Sequence, residues 1–174
     1  MAHEQEHVAG EARYNHAIQI GLFLFFVVIW VLDSFIFRFT TYFWSIPFYV
    51  ALAIGFFDLT YTLSFLIPIV LGIVIIILGL RLMQRSHVVF EGKESKVVDH
   101  GVYGRVRHPM YLGSILLYVG FWITTISLLT LIPLLTIIVG YNYLANVEER
   151  ILIEKFGDQY RDYMKRVPKW FPRQ

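Results

Sequence analysis

Two long stretches of this chain are almost empty of charge, and they limit its fold more than any other feature. Residues 39–80 hold one charged side chain, Asp58, and residues 108–147 hold none beyond an ionisable His108. A chain of 174 residues that is 57% hydrophobic and 16% charged has no soluble interior large enough to hide both stretches. An ordinary soluble domain carries roughly a quarter of its residues as charges. The composition predicts an integral membrane protein whose apolar stretches cross the bilayer as helices. The first apolar run begins at Ile18 and lacks a short apolar core followed by a small-residue cleavage site, so it reads as a retained helix. There is no cysteine, which excludes disulfides, thiolate catalysis and cysteine metal sites. The net charge of +2 comes without a basic run and gives no sign of nucleic-acid binding.

A spanning helix needs roughly 20 apolar residues. The hydropathy pattern predicts about five spans, near Ile18–Phe37, Phe43–Phe57, Ser64–Met83, Tyr111–Leu128 and Thr130–Leu144. The last two form a tight helical hairpin, with Pro133 in the first turn of the second arm, where proline is tolerated. Arg81, Arg85, Lys93, Lys96, Arg105 and Arg107 crowd the segment before the hairpin, and the tail from Arg150 is equally basic. The positive-inside rule then places the 84–110 loop and the C-terminus in the cytoplasm, with the N-terminus outside. A four-span arrangement, with Phe43–Met83 partly re-entrant, instead requires the N-terminus inside. Residues 1–83 form an N-terminal arm and three spans. Residues 84–174 form a core of loop, hairpin and amphipathic C-terminal helix.

The chemistry-bearing residues gather in two stretches on one side. In Gln84–Pro109, the apolar pieces Val88-Val89-Phe90 and Lys96-Val97-Val98 are too short to span, and are expected to fold back on the membrane surface and line a pocket. Pro109 drives His108 out of helical geometry and starts the next helix, whose first N–H groups suit a carboxylate. In Asn142–Gln174, Glu148 and Glu149 follow the last span. Val147, Ile151, Leu152 and Phe156 have helical spacing, with Tyr160 and Tyr163 beyond. That amphipathic helix ends at Pro168, and its Arg161, Lys165, Arg166 and Lys169 suit an anionic lipid surface. Taken singly, each feature has a plainer explanation. Arg105 and Arg107 serve as topology signals, Tyr103, Tyr111, Trp170 and Phe171 as interfacial aromatics, and Glu148 and Glu149 as a solvated helix start. Asp33 reads as a local partner of Arg38. His3, His7 and His16 lie in the N-terminal arm, on the opposite face, where they are expected to have no function, with metal binding as the weaker alternative. The joint occurrence of the arginine–histidine–proline loop, the hairpin and the paired glutamates on one face favours a site.

Gly101-Val-Tyr-x-x-x-Arg-His-Pro-Met-Tyr111, the hairpin, and Glu148-Glu149-x-x-Leu152-x-x-x-Phe156-Gly-x-x-Tyr160-x-x-Tyr163 resemble the isoprenylcysteine carboxyl methyltransferase family, with a similar signature in phospholipid N-methyltransferases. The resemblance covers about Ser86 to Arg173. It implies an all-α membrane methyltransferase that uses S-adenosylmethionine. It also implies a lipophilic or lipid-modified acceptor, methylated on a carboxylate or an amine, with membrane lipid as its surroundings. Carried over, Val97 and Val98 pack on the cofactor, Tyr103, His108, Pro109, Met110 and Tyr111 contact it, and Glu148 meets its ammonium group. Arg107, Asn142 and Glu149 are candidate positioning residues. Glutamate suits an amine, and tyrosine faces suit a sulfonium or an adenine. Two positions depart from the family pattern. Ser95 stands where the strip often begins with histidine. Leu144 stands where prenylcysteine enzymes carry an arginine for the acceptor carboxylate, which leaves the acceptor class open. A nicotinamide-dependent membrane reductase and a non-enzymatic scaffold are the competing readings.

Overall fold

The computed structural model describes residues 2–33, 59–90 and 97–172, with side chains from residues 17–33, 66–86 and 97–172. Its helices are α1 (Ala2–Val31), α2 (Leu59–Phe90), α3 (Pro109–Thr125), α4 (Leu131–Phe156) and α5 (Asp158–Arg166), with no strand among the described residues. Two segments, Leu66–Ser86 and Leu131–Phe156, are long and apolar enough to cross a membrane, while Ala17–Val31 and Pro109–Thr125 are apolar but shorter. The expected span Phe43–Phe57, with Arg38 and Asp58 at its flanks, lies outside the described residues. So does Ser95.

Apolar side chains cover the outside of α2, where Ile67, Val70, Val74 and Leu78 are all exposed. Each would forgo about 1.5–3 kcal/mol of burial in water. Against lipid tails there is no such loss, so the surface suits a bilayer. Helix association there rests instead on close packing of small residues. The α2–α3 seam is built that way. A Cβ on Gly120 would come 2.7 Å from the Gly72 carbonyl oxygen, and one on Gly79 would come 2.7 Å from that of Gly113. The four glycines recur at seven-residue intervals on the two antiparallel helices, which brings the backbones into direct contact.

Pro109 fills the first position of α3, and His108 before it takes φ −121°, as the proline demands. At its far end α3 stops at Ile126, which adopts the left-handed region at φ 46°. The turn that follows is a buried polar knot. The Ser127 hydroxyl donates to the Asp33 carboxylate and accepts the Thr130 N–H at 3.2 Å, while the Trp122 indole donates to the Ser127 carbonyl at 3.0 Å. Asp33, Ser127 and Thr130 are all buried. Replacing Ser127 by alanine removes a donor from a buried carboxylate and should lower stability by about 1–3 kcal/mol. A detergent thermal-shift series that finds Ser127→Ala unchanged contradicts this role for the turn.

Asp33 therefore sits at the hairpin-turn end of the bundle and not at the loop end, where pairing with Arg38 in a five-span chain had placed it. Leu22, eleven residues back from Asp33, meets Gly140, thirteen residues on from Ser127, so α1 runs antiparallel to α4. Gly72 lies level with Gly120, and Met83 with Gly113, so α2 starts at the end where α1 finishes. The start of α1 thus points toward the loop end of the bundle, against the expectation that the two lie on opposite faces.

Three boundaries also move. Val88-Val89-Phe90 form the last turn of α2 and not a separate surface piece. Helix α4 continues through the two glutamates to Phe156, so they lie within it. The expected tail helix breaks at Gly157, whose φ of 57° ends α4. On α5, Arg161 and Lys165 pair with Asp158 and Asp162 one turn back, which reduces the charge left for a lipid surface. The core at the heart of the bundle is Phe26, Tyr118, Leu134, Ile137, Tyr141 and Leu144, joined by Tyr111 and Trp170 at the loop end.

Candidate active site

The loop end gathers charge into a closed cluster. His108 is buried between two carboxylates, with Nε2 2.9 Å from Glu149 Oε1 and Nδ1 3.4 Å from Glu148 Oε2. Arg107 reaches the same Glu149 oxygen at 3.4 Å. Adjacent residues on a helix point about 100° apart, so the two glutamates divide their work. Glu149, with a side chain 10% exposed, is taken up by Arg107 and His108, whereas Glu148 remains 36% exposed. Tyr111 stacks parallel to the His108 ring at 5.7 Å and leans on Tyr141 at 5.3 Å, continuing the aromatic wall into the core.

Burial opposes a charged His108, but the hydrogen bonds and charges of Glu148 and Glu149 outweigh it and hold the imidazolium above its ordinary value of 6.5. Burial, reinforced by the Glu148 charge, pushes the Tyr103 hydroxyl up to about 12, so it stays protonated at neutral pH. A raised histidine pKa stabilises the fold fully below the unfolded value, and that contribution is lost as pH rises through the folded one. Thermal stability should therefore fall from mildly acidic to mildly alkaline pH, and His108→Gln should lack that slope. Parallel pH–melting curves for the two proteins would contradict the assignment.

The loop is held by the C-terminal segment. The Tyr163 hydroxyl donates to the Tyr103 carbonyl at 2.7 Å, and the Arg107 N–H donates to the Pro168 carbonyl at 2.9 Å. Arg166 meets Asp99 at 3.2 Å, and the Trp170 indole donates to Asn142 at 3.3 Å. Trp170 also lies 5.9 Å from the His108 ring.

The structure thus brings Tyr103, Arg107, His108, Tyr111, Glu148 and Glu149 together. Pro109 is buried as the helix start, and Met110 is half-buried one residue on. Asn142 is exposed and bound to Trp170. Val97 packs on Tyr160, Tyr163 and Val167 of the C-terminal segment, and Val98 is half-buried beside it. The cluster also includes Trp170, read from sequence only as an interfacial aromatic. Its position after Pro168, seven residues beyond a tyrosine of the motif, was the one available signal. No group of residues able to hold a metal ion occurs among the described residues.

Helices of membrane-crossing length, with a histidine held between two carboxylates at one end, define a membrane-embedded helical protein with an ionic site at its polar face. The family model for phospholipid methyltransferases matches residues 61–159, and the chain belongs to that family. Among similar proteins, the protein-S-isoprenylcysteine O-methyltransferase of Schizosaccharomyces pombe is 32% identical over 90 residues, covering 50% of this chain and 38% of the relative. That of Saccharomyces cerevisiae is 34% identical over 130 residues, 65% of this chain and 52% of the relative. Methanethiol S-methyltransferase 1 of Bradyrhizobium diazoefficiens is 40% identical over 76 residues, 41% of this chain and 24% of the relative. The chain matches between a quarter and about half of the length of these relatives. No solved structure matches it.

Proposed function

We propose that this chain is an integral membrane methyltransferase that uses S-adenosylmethionine to methylate a lipophilic acceptor at the cytoplasmic face. The observation that carries the reading is the half-open Glu148 carboxylate set among Tyr103, His108 and Tyr111. It leaves a negative charge available at the loop end of the hairpin that the family model covers.

The residues present fit the cofactor. Its amino-acid end carries an ammonium and a carboxylate. Glu148 suits the ammonium through a charge-assisted hydrogen bond. The buried Arg107 Nε, which has no hydrogen-bond partner, suits the carboxylate. Tyrosine faces suit a sulfonium. When bound, S-adenosylmethionine supplies an already activated methyl group. The chain then has to align the acceptor for in-line attack and keep water away. Arg107 holds Glu149, Glu149 fixes His108, His108 orients Glu148, and Val97 and Val98 belong to the apolar lining beside the loop.

The acceptor is read as lipophilic because the bundle presents an apolar surface to the bilayer. Leu144 is fully buried in the apolar core at the position where prenylcysteine enzymes carry the acceptor-binding arginine. This favours an acceptor without a carboxylate, such as a lipid amine or a thiol. The basic loop and tail support a cytoplasmic site, and the direction of α1 supports an N-terminus on that same face.

The test is methyl transfer from labelled S-adenosylmethionine by protein reconstituted in vesicles, with a prenylcysteine analogue, phosphatidylethanolamine and a long-chain thiol as acceptors. Label is expected on the amine or the thiol. Label on the prenylcysteine alone contradicts the acceptor reading, and label on none contradicts the methyltransferase reading.

A further inference from the structure

Gly157 joins α4 to α5 at φ 57° and ψ −128°, a backbone region strained for any residue with a side chain. A Cβ there would meet nothing within 4 Å, so the glycine serves the backbone path and not the packing. Beyond it, α5 and the tail fold back across the 97–108 loop. The apolar residues of α5 pack with the last turns of α4, beside this glycine. Against the loop, Val97 packs on the same cluster and Trp170 rests on the edge of the bundle core, and the remaining attachment consists of single polar contacts. On the loop these are the exposed Arg166–Asp99 pair, the Tyr163 hydroxyl on the Tyr103 carbonyl, and the Arg107 N–H on the Pro168 carbonyl, and on α4 the exposed Lys169–Asn146 and Trp170–Asn142 hydrogen bonds. An exposed ion pair, isolated hydrogen bonds and the edge contacts of two apolar side chains separate more readily than the glycine seam of the bundle. Each of these contacts also holds a stretch that carries site residues. Trp170, at the free end, lies against the His108 ring.

We propose that α5 and the tail are a strap hinged at Gly157. The strap lifts from the 97–108 loop to let the cofactor in and out, and closes over Glu148 and His108 during transfer. The proposal rests on the methyltransferase reading above. Closure brings Trp170 over the imidazole and shields the site from water, as lids on other enzymes do.

The chain has no cysteine, so Asp99→Cys with Arg166→Cys places a unique thiol pair across the strap and loop, both at exposed positions. The full-length double variant, reconstituted in vesicles, is joined with a short bifunctional thiol reagent, and a control is capped with a monofunctional maleimide. The capped protein, which lacks the Arg166–Asp99 pair, should bind and release S-adenosylmethionine at least as fast as the wild type. The joined protein should load, or release a cofactor trapped beforehand, at least about tenfold more slowly. Unchanged exchange in the joined protein overturns the strap while leaving the methyltransferase reading intact. Absence of binding in the wild type overturns both. Should the double variant fold poorly, hydrogen exchange on the wild type decides. Cofactor should slow exchange in residues 97–107 and 158–170 and leave α2 and α3 unchanged, and exchange unaltered in both strap and loop overturns the proposal.

Discussion

Glu148→Gln should weaken S-adenosylmethionine binding by roughly ten- to a hundredfold while leaving the fold intact. The side chain is 36% exposed, and its closest charged neighbour is His108 Nδ1 at 3.4 Å. Removing one charge-assisted hydrogen bond to an ammonium is worth about 1.5–3 kcal/mol, and each 1.4 kcal/mol is tenfold in affinity. The amide keeps the shape of the side chain, so loss of packing does not confuse the result. Its neighbour provides the contrast. Glu149 is shared by Arg107 and His108 and is nearly sealed from water. Glu149→Gln should therefore lower the melting temperature, because two buried cations lose their common partner. Calorimetric titration alongside thermal unfolding separates the two variants. Equal loss of binding and stability in both would contradict the division of work between the glutamates.

Gly120→Ala should be among the most damaging single-methyl changes in the bundle. The added Cβ would stand 2.7 Å from the Gly72 carbonyl oxygen and 2.9 Å from the Ile76 backbone nitrogen. Both are main-chain atoms and cannot rotate away, so α2 and α3 have to part along their seam. Overpacking of this kind costs about 1–3 kcal/mol. In a membrane it also removes the close van der Waals contact that holds the two helices together. Gly21→Ala is the matched control. Its Cβ would meet nothing within 4 Å, and alanine is the better helix former by up to about 1 kcal/mol. Thermal unfolding in detergent should show a clear fall for Gly120→Ala and none for Gly21→Ala. Equal behaviour would mean that the seam does not hold the bundle.

Much of the site is legible in the chain because its grammar is local. Pro109 dictates both the conformation of His108 and the start of α3. The short Ser127–Thr130 turn sends α4 back alongside α3, which returns Glu148 and Glu149 to the loop. What sequence cannot separate is which glutamate faces which partner, since the two are chemically identical and their roles follow from a rotation about the helix axis. Asp33 shows the limit of local reading. Arg38 is its nearest cation in sequence, but its carboxylate meets Ser127, 94 positions away. That contact sets α1 antiparallel to α4. Gly157 and the seven-residue glycine spacing are signals present in the chain itself. A glycine after an apolar helical run marks a C-terminus, and small residues in register on apolar helices mark a seam. The loop–strap contacts had no such signal, because backbone carbonyls accept bonds from any side chain that arrives.

The central claim is that S-adenosylmethionine binds between the 97–108 loop and the Glu148 turn of α4. Ultraviolet cross-linking of methyl-labelled S-adenosylmethionine to the reconstituted protein, followed by peptide mapping, tests it most directly. The label should fall on peptides containing Tyr103, Tyr111 or Tyr141, compete with excess unlabelled cofactor, and fade in Glu148→Gln. Label confined to α1 or to the Ser127 end of the hairpin, or label that excess cofactor does not displace, would contradict the site.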